Sequence, residues 1–230
     1  MFTANHLTAY PAIVPRWSKI TEGDGLTVSL DDVKDFVNRP REDTFWDVEY
    51  TSFIKVARLE IERACQFTLA ATTFKATLPC FFDRIRLIKR PFVSVETIEY
   101  VEAQTGEIKT VDPALYHALP VDQDTGMVFL GDGLSWPTAA NRYDAVRITL
   151  KAGYGVTTPE NTAGHPPISE DIKHALLMTI ASLETTKGDN AQGGGGQTTV
   201  YAMKNARGGS IIPPEARTLL APYRYLSVTL

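Results

Sequence analysis

Few residues in this 230-residue chain have the types and spacings that carry out chemistry. The histidines are His6, His117, His165 and His174, and none stands in an HExxH or at a His/Cys spacing that would hold zinc. His165 lies in a Pro/Gly stretch and His174 on a helical one, so a metal between them would need the fold to unite two unlike segments. Asp122-x-Asp124-x-Gly126 looks like the start of a calcium loop, but a third acidic ligand and the closing Glu are missing. Asp and Gly favour turns for their own reasons, so a turn between strands is expected there. The four glycines 193–196 are followed by Gln197, Thr198, Thr199 and Val200. A phosphate cradle needs Lys and Ser/Thr at fixed offsets, which makes a flexible loop the better reading. Asp171 and His174 are the pair left over for a small hydrolase. There is no G-x-S-x-G elbow and no Cys–His arrangement for a nucleophile. The expectation is a protein that is not an enzyme and carries no cofactor and no metal.

The elements around these residues are legible from periodicity. Residues 1–28 are polar, proline-containing and aperiodic, and read as an N-terminal arm without a signal-peptide pattern. Ser29 can cap a helix that Asp32 answers, and Pro40 is expected to stop it. A longer helix is predicted over 42–67. Trp46, Tyr50, Phe53, Ile54, Ala57, Ile61, Ala64 and Cys65 recur there at steps of three and four and share a face. Arg58 and Glu62 stand one turn apart on the other side and can pair. From 72 to 152 the period becomes two: Ile85 and Leu87, Val93 and Val95, then Val146, Ile148 and Leu150 alternate with polar partners, as half-buried antiparallel strands do. Helical spacing returns after Pro166 and Pro167, with Ser169 as cap. Ile172, Ala175, Leu176, Thr179, Ile180 and Leu183 form its face, and Gly188 is its expected end. A short helix over 214–220 starts on a proline.

The architecture this predicts is α+β. An arm (1–28) leads into a helical core (29–71 and 166–230, ending in a tail), and a small antiparallel β-subdomain (72–165) is inserted between its halves. Trp46, Phe53, Ile61, Ile172, Leu176 and Ile180 should be buried where the two main helices pack. A fully buried Phe53 would cost roughly 3–5 kcal/mol on truncation to alanine.

Composition narrows the function classes. A formal net charge of -4 argues against a protein that grips nucleic acid by neutralising phosphates. No run approaches the ~20 apolar residues of a membrane helix. Cys65 and Cys80 are too few for a disulfide framework, which fits folding in a reducing cytoplasm.

Several segments together resemble the head–tail connector, or adaptor, proteins of tailed phages and phage-like gene transfer particles. They are Leu87-x-x-Arg90-Pro91-Phe92-Val93-Ser94-Val95-x-x-Ile98-x-Tyr100, with Gly106 at a turn, and Trp136-Pro137. Val146-Arg147-Ile148-Thr149-x-x-Ala152-Gly153-Tyr154-Gly155 follows, then Pro167 before Ile172-x-x-Ala175-Leu176-Leu177, and Leu219-Leu220-Ala221-Pro222-Tyr223-Arg224. The chain departs from the family pattern at 182–187 and in the glycine-rich 189–209. The resemblance implies a ring, dodecameric in the family, that sits beneath the portal in the virion neck. There it joins the DNA-filled head to the tail and continues a channel through which DNA passes without specific binding. It implies portal and stopper proteins as partners and assembly in a bacterial host's cytoplasm. It also implies an interface with the portal or a neighbouring subunit through the C-terminal segment: Tyr223, Arg224, Tyr225, Leu226, Val228 and Leu230. A stopper or tail terminator is the nearest alternative, and a small hydrolase a more distant one.

Overall fold

The computed structural model describes residues 15–23, 27–121, 124–155, 164–192 and 210–224. The expected arm over 1–14, most of the glycine-rich stretch and the tail from 225 lie outside the described residues.

The chain is α+β, with two antiparallel sheets flanked by helices, as its periodicities predict. In chain order the elements are β1 (Arg16–Glu22), α1 (Leu30–Phe36), α2 (Asp47–Cys65), β2 (Thr72–Leu78), β3 (Arg84–Leu87), β4 (Phe92–Val101) and β5 (Ile108–Thr110). There follow β6 (Tyr116–Val121), β7 (Thr125–Leu130), β8 (Val146–Ala152), α3 (Glu170–Gln192) and α4 (Pro214–Leu220). The first sheet has the order β1-β2-β8-β4-β5, the second β3-β7-β6.

Part of the expected arm is thus a strand. Arg16–Glu22 pairs antiparallel with β2, from Arg16 against Thr77 to Glu22 against Thr72. Its side chains are almost all exposed, so no apolar alternation marks it in the sequence. At α1 the capping box forms as expected: the Asp32 N–H donates to Ser29 Oγ at 3.0 Å, and the Ser29 N–H donates to the Asp32 carboxylate at 3.3 Å. The stop comes before Pro40. Asn38 takes φ 57°, Arg39 N–H reaches Lys34 O at 2.8 Å and Asn38 N–H reaches Asp35 O at 3.3 Å. This is the left-handed helix ending that asparagine tolerates well.

α2 is shorter than predicted, and Gln66 in the left-handed region at φ 57° closes it. Tyr50, Ile54, Ala57, Ile61 and Cys65 are buried along it, while Ala64, placed on that face by the sequence, is exposed. Ile61, Ile172, Leu176 and Ile180 meet in the helical core as expected, and Trp46 and Phe53 pack against it only partly buried. Phe53→Ala should therefore cost less than a full cavity, about 1–2 kcal/mol, measured by urea denaturation. The Arg58–Glu62 pair does not form as expected. Arg58 turns to Glu22 on β1, and Glu62 accepts the Leu69 N–H at 2.7 Å. Burial is the main influence on Glu62 and raises its carboxyl above the ordinary range.

Two readings of α3 need correction. It runs through Gly188 to Gln192, because a glycine weakens a helix by about 1 kcal/mol without being obliged to end it. Ser169 supplies its carbonyl to the Lys173 N–H at 3.0 Å, but its hydroxyl is buried and makes no cap bond among the described residues. α4 occupies the predicted 214–220.

Alternation is strict in β8, where Val146, Ile148, Leu150 and Ala152 are all buried. In β4 two register shifts, between Phe92 and Ser94 and between Val95 and Thr97, break it. Each extra residue turns the following side chains to the other face, so Ile98 is buried while Val93 and Val95 are only partly so. The two sheets share one apolar cluster built from Phe74, Leu78, Ile98 and Ile148 on one side and Ile85, Leu87 and Val128 on the other. Trp136 stacks on Phe81 at 4.7 Å and donates to Phe82 O at 3.0 Å against this cluster. The helical cluster is separate and holds Tyr50, Ile54, Ile61, Ile172, Leu176, Ile180 and Leu220.

Candidate functional site

Two apolar cores in one chain need a joint, and the backbone shows where it lies. Arg90-Pro91, with a cis peptide bond, enters β4, and Gly153-Tyr154 leaves β8. Thr68 N–H donates to Arg90 O at 2.7 Å, Gly153 N–H to Pro91 O at 2.8 Å and Tyr154 N–H to Thr68 O at 3.2 Å. These bonds tie the end of α2 to both strands. Gly153 has φ +104°, and a Cβ there would lie 2.1 Å from Ala70 O. Only glycine satisfies both demands. His165 joins from the far side: its Nδ1 donates to Gly153 O at 2.8 Å.

Arg90 occupies the centre and is 6% exposed. Its guanidinium donates to Cys65 O at 2.7 Å and to Tyr223 O at 3.2 Å. Cys65 is the last residue of α2, and Tyr223 ends a 3-10 turn, Ala221–Tyr223. Carbonyls at helix ends have no partner within the helix and carry partial negative charge, so one arginine satisfies two such ends at once. Tyr154 packs edge-on to Phe67 at 5.8 Å. Burial pushes the Tyr154 hydroxyl up to about 12, so it stays protonated at neutral pH. Phe67, Arg90, Pro91, Asp124, Tyr154 and Tyr223 line a cavity of about 150 Å³ beside this joint.

The residues singled out as possible chemistry are dispersed. His174 is exposed and sets its ring edge-on to Phe36 at 5.5 Å, while Asp171 accepts from the Tyr223 hydroxyl at 3.4 Å. His117 is exposed on β6 against Phe129. β6 and β7 pair as a hairpin that closes with Val121 against Thr125, with Asp124 between them at φ 63°, while Asp122 lies outside the described residues. Among the described residues no cluster of three His, Cys, Asp or Glu is placed to hold a metal ion, and no helix is long and apolar enough to cross a membrane. Cys65 and Cys80 are both free thiols.

The C-terminal residues divide. Tyr223 is half-buried against the helical core and its backbone belongs to the joint; Arg224 is exposed. Tyr225, Leu226, Val228 and Leu230 lie outside the described residues.

Three solved structures hold chains with this arrangement of helices and sheets. Its fold is that of a chain in the neck of a gene transfer agent particle. In the neck of an empty gene transfer agent particle, computed with C6 symmetry, the similar chain has a TM-score of 0.65 and 16% identity, over 93% of this chain and 97% of that one. In the virion of a native gene transfer agent particle the values are 0.62 and 18%, over 92% and 96%. In the neck of a native particle, computed with C12 symmetry, they are 0.58 and 16%, over 93% and 97%. No family model matches the chain, and no curated protein does. The connector resemblance drawn from the sequence and the fold of these neck chains agree. At 16–18% identity, what is shared is the fold.

Proposed function

We propose that this chain is a structural component of the neck of a phage-like particle, and within the neck the adaptor: a ring beneath the portal that joins the DNA-filled head to the tail and continues the DNA channel. The observation that carries this reading is a fold likeness to neck chains that spans nearly the whole of both molecules. The C6 and C12 symmetry of those necks supports many copies in a ring, and we take twelve as the copy number. A net charge of -4 suits a channel wall that DNA slides past, since a basic wall would hold the phosphates. The role is architectural, with the portal above and a stopper or other neck protein below, at the head–tail interface of a particle assembled in the host cytoplasm.

In this reading the tail from Tyr225 onward anchors the ring to the portal or to the next subunit. Tyrosine supplies much of the energy at many interfaces, and an extended end can add a strand to a partner. Because Tyr223 belongs to the joint, the informative truncation removes 225–230 and leaves 223 and 224 in place. The shortened protein should keep its thermal unfolding midpoint within a few degrees and lose at least tenfold in attachment to DNA-filled heads, measured by co-sedimentation. Undiminished attachment would place the anchor elsewhere.

A further inference from the structure

α2 carries a protruding apolar pair at one end and an open apolar cavity at the other. Phe45 and Val48 are 80% and 85% exposed at its start. Phe45 sets its ring edge-on to Trp46 at 4.9 Å. Two apolar side chains this exposed cost solvation that a contact would recover. At the other end a cavity of about 190 Å³ is lined by Ala64, Cys65, Ile212, Leu220, Arg217 and Arg224. A cavity of about 150 Å³ lined by aliphatic groups accepts benzene, so this one has room for a phenyl ring.

The charges are complementary. Segment 42–49, Glu-Asp-Thr-Phe-Trp-Asp-Val-Glu, holds four carboxylates and no cation, against which Lys34 pairs with Asp47 at 2.7 Å and the Arg39 guanidinium lies 5.5 Å from the Trp46 ring. The cavity is lined by two arginines and no carboxylate. An arginine beside a phenyl face adds a cation–π attraction.

A copy cannot fill its own cavity. Val48 and Ala64 stand sixteen residues apart on one helix, which is ~24 Å along its axis and ~160° around it. A protrusion and a different surface as its socket, at opposite ends and on opposite sides of one helix, make a head-to-tail contact, the kind that closes into a ring when the rotation between copies is right. We propose that the Phe45–Val48 pair of one copy seats in the Ala64–Arg217–Arg224 cavity of the next, and that this contact builds the ring. The inference rests on the ring reading above and names its subunit contact.

The test traps the contact in assembled particles. The full chain carries Val48→Cys and Ala64→Cys with Cys80→Ser, and particles are oxidised mildly and run on a non-reducing gel. The background also carries Cys65→Ala, because the native thiol lines the same cavity and would compete with Ala64→Cys. A ladder that ends at one closed multiple is expected, with each single-cysteine variant remaining a monomer. Phe45→Asp, at a site too exposed to matter for folding, should lower incorporation into particles at least tenfold. A monomer band from particles that mass measurement shows to hold many copies would overturn the contact and leave the ring standing. Particles holding one copy would overturn both. A ladder that appears only after 225–230 is deleted would mean that the chain's own tail fills the cavity, and would also overturn the proposal.

Discussion

Gly153→Ala is expected to abolish the folded state or remove more than about 4 kcal/mol of stability, a loss of the size reserved for strain or severe clash in a packed site. The added Cβ would sit 2.1 Å from Ala70 O and 2.9 Å from its carbonyl carbon. Both are backbone atoms, so no rotamer change relieves the overlap. The φ of +104° is also unfavourable for any side chain. With total stabilities of about 5–15 kcal/mol usual for a domain, such a loss leaves little. Gly106→Ala is the control. It too has positive φ, +72°, but nothing lies within 4 Å of the new Cβ, so its cost should stay near 1 kcal/mol. Urea denaturation followed by tryptophan fluorescence separates the two. A Gly153→Ala protein within 1 kcal/mol of the parent would mean that the joint is not the tight crossing described.

Arg90→Met is expected to cost about 3–6 kcal/mol, because a hydrogen bond from a charged donor contributes about 1.5–3 kcal/mol and the two to Cys65 O and Tyr223 O are lost. The methionine keeps most of the volume, so the loss reports on the carbonyls of Cys65 and Tyr223 rather than on a cavity. Arg90→Lys should recover only part of it, since both bonds come from the terminal Nη2 and the shorter lysine stem does not carry its nitrogen as far. If the loss sits in the joint, the variant should also release the C-terminal residues early. Protection of the Tyr223 and Arg224 amides from hydrogen exchange should fall before that of β8. Equal stability of parent and Arg90→Met would remove the arginine from the account of how the two cores are held.

Much of this was legible in the sequence where one physical signal dominated. Strict alternation in Val146–Leu150, the proline start of α4 and the Ser29–Asp32 capping box all appear in the structure where the residues place them. The signal failed where two effects competed. β1 is an edge strand wetted on most of its surface, so its pairing with β2 leaves no apolar pattern to read. The bulges in β4 invert the alternation partway along. Gly188 has the residue type of a helix stop, yet α3 continues past it. Periodicity also could not divide the strands between two sheets, because that depends on long-range pairing. The joint was visible only as letters: Arg90-Pro91 and Ala152-Gly153-Tyr154-Gly155 carried the family resemblance, but their meeting across Thr68 needed coordinates.

The role of the chain rests most directly on where it stands in a particle. Electron microscopy of the intact neck, with density fine enough to trace side chains, should show this fold repeated as a closed ring, twelve copies by the present reading, directly beneath the portal. The segment beyond Arg224 should run toward the portal or the next copy. A neck whose ring beneath the portal is built by a different chain, with this one in the stopper or at the tail tube, would contradict the account.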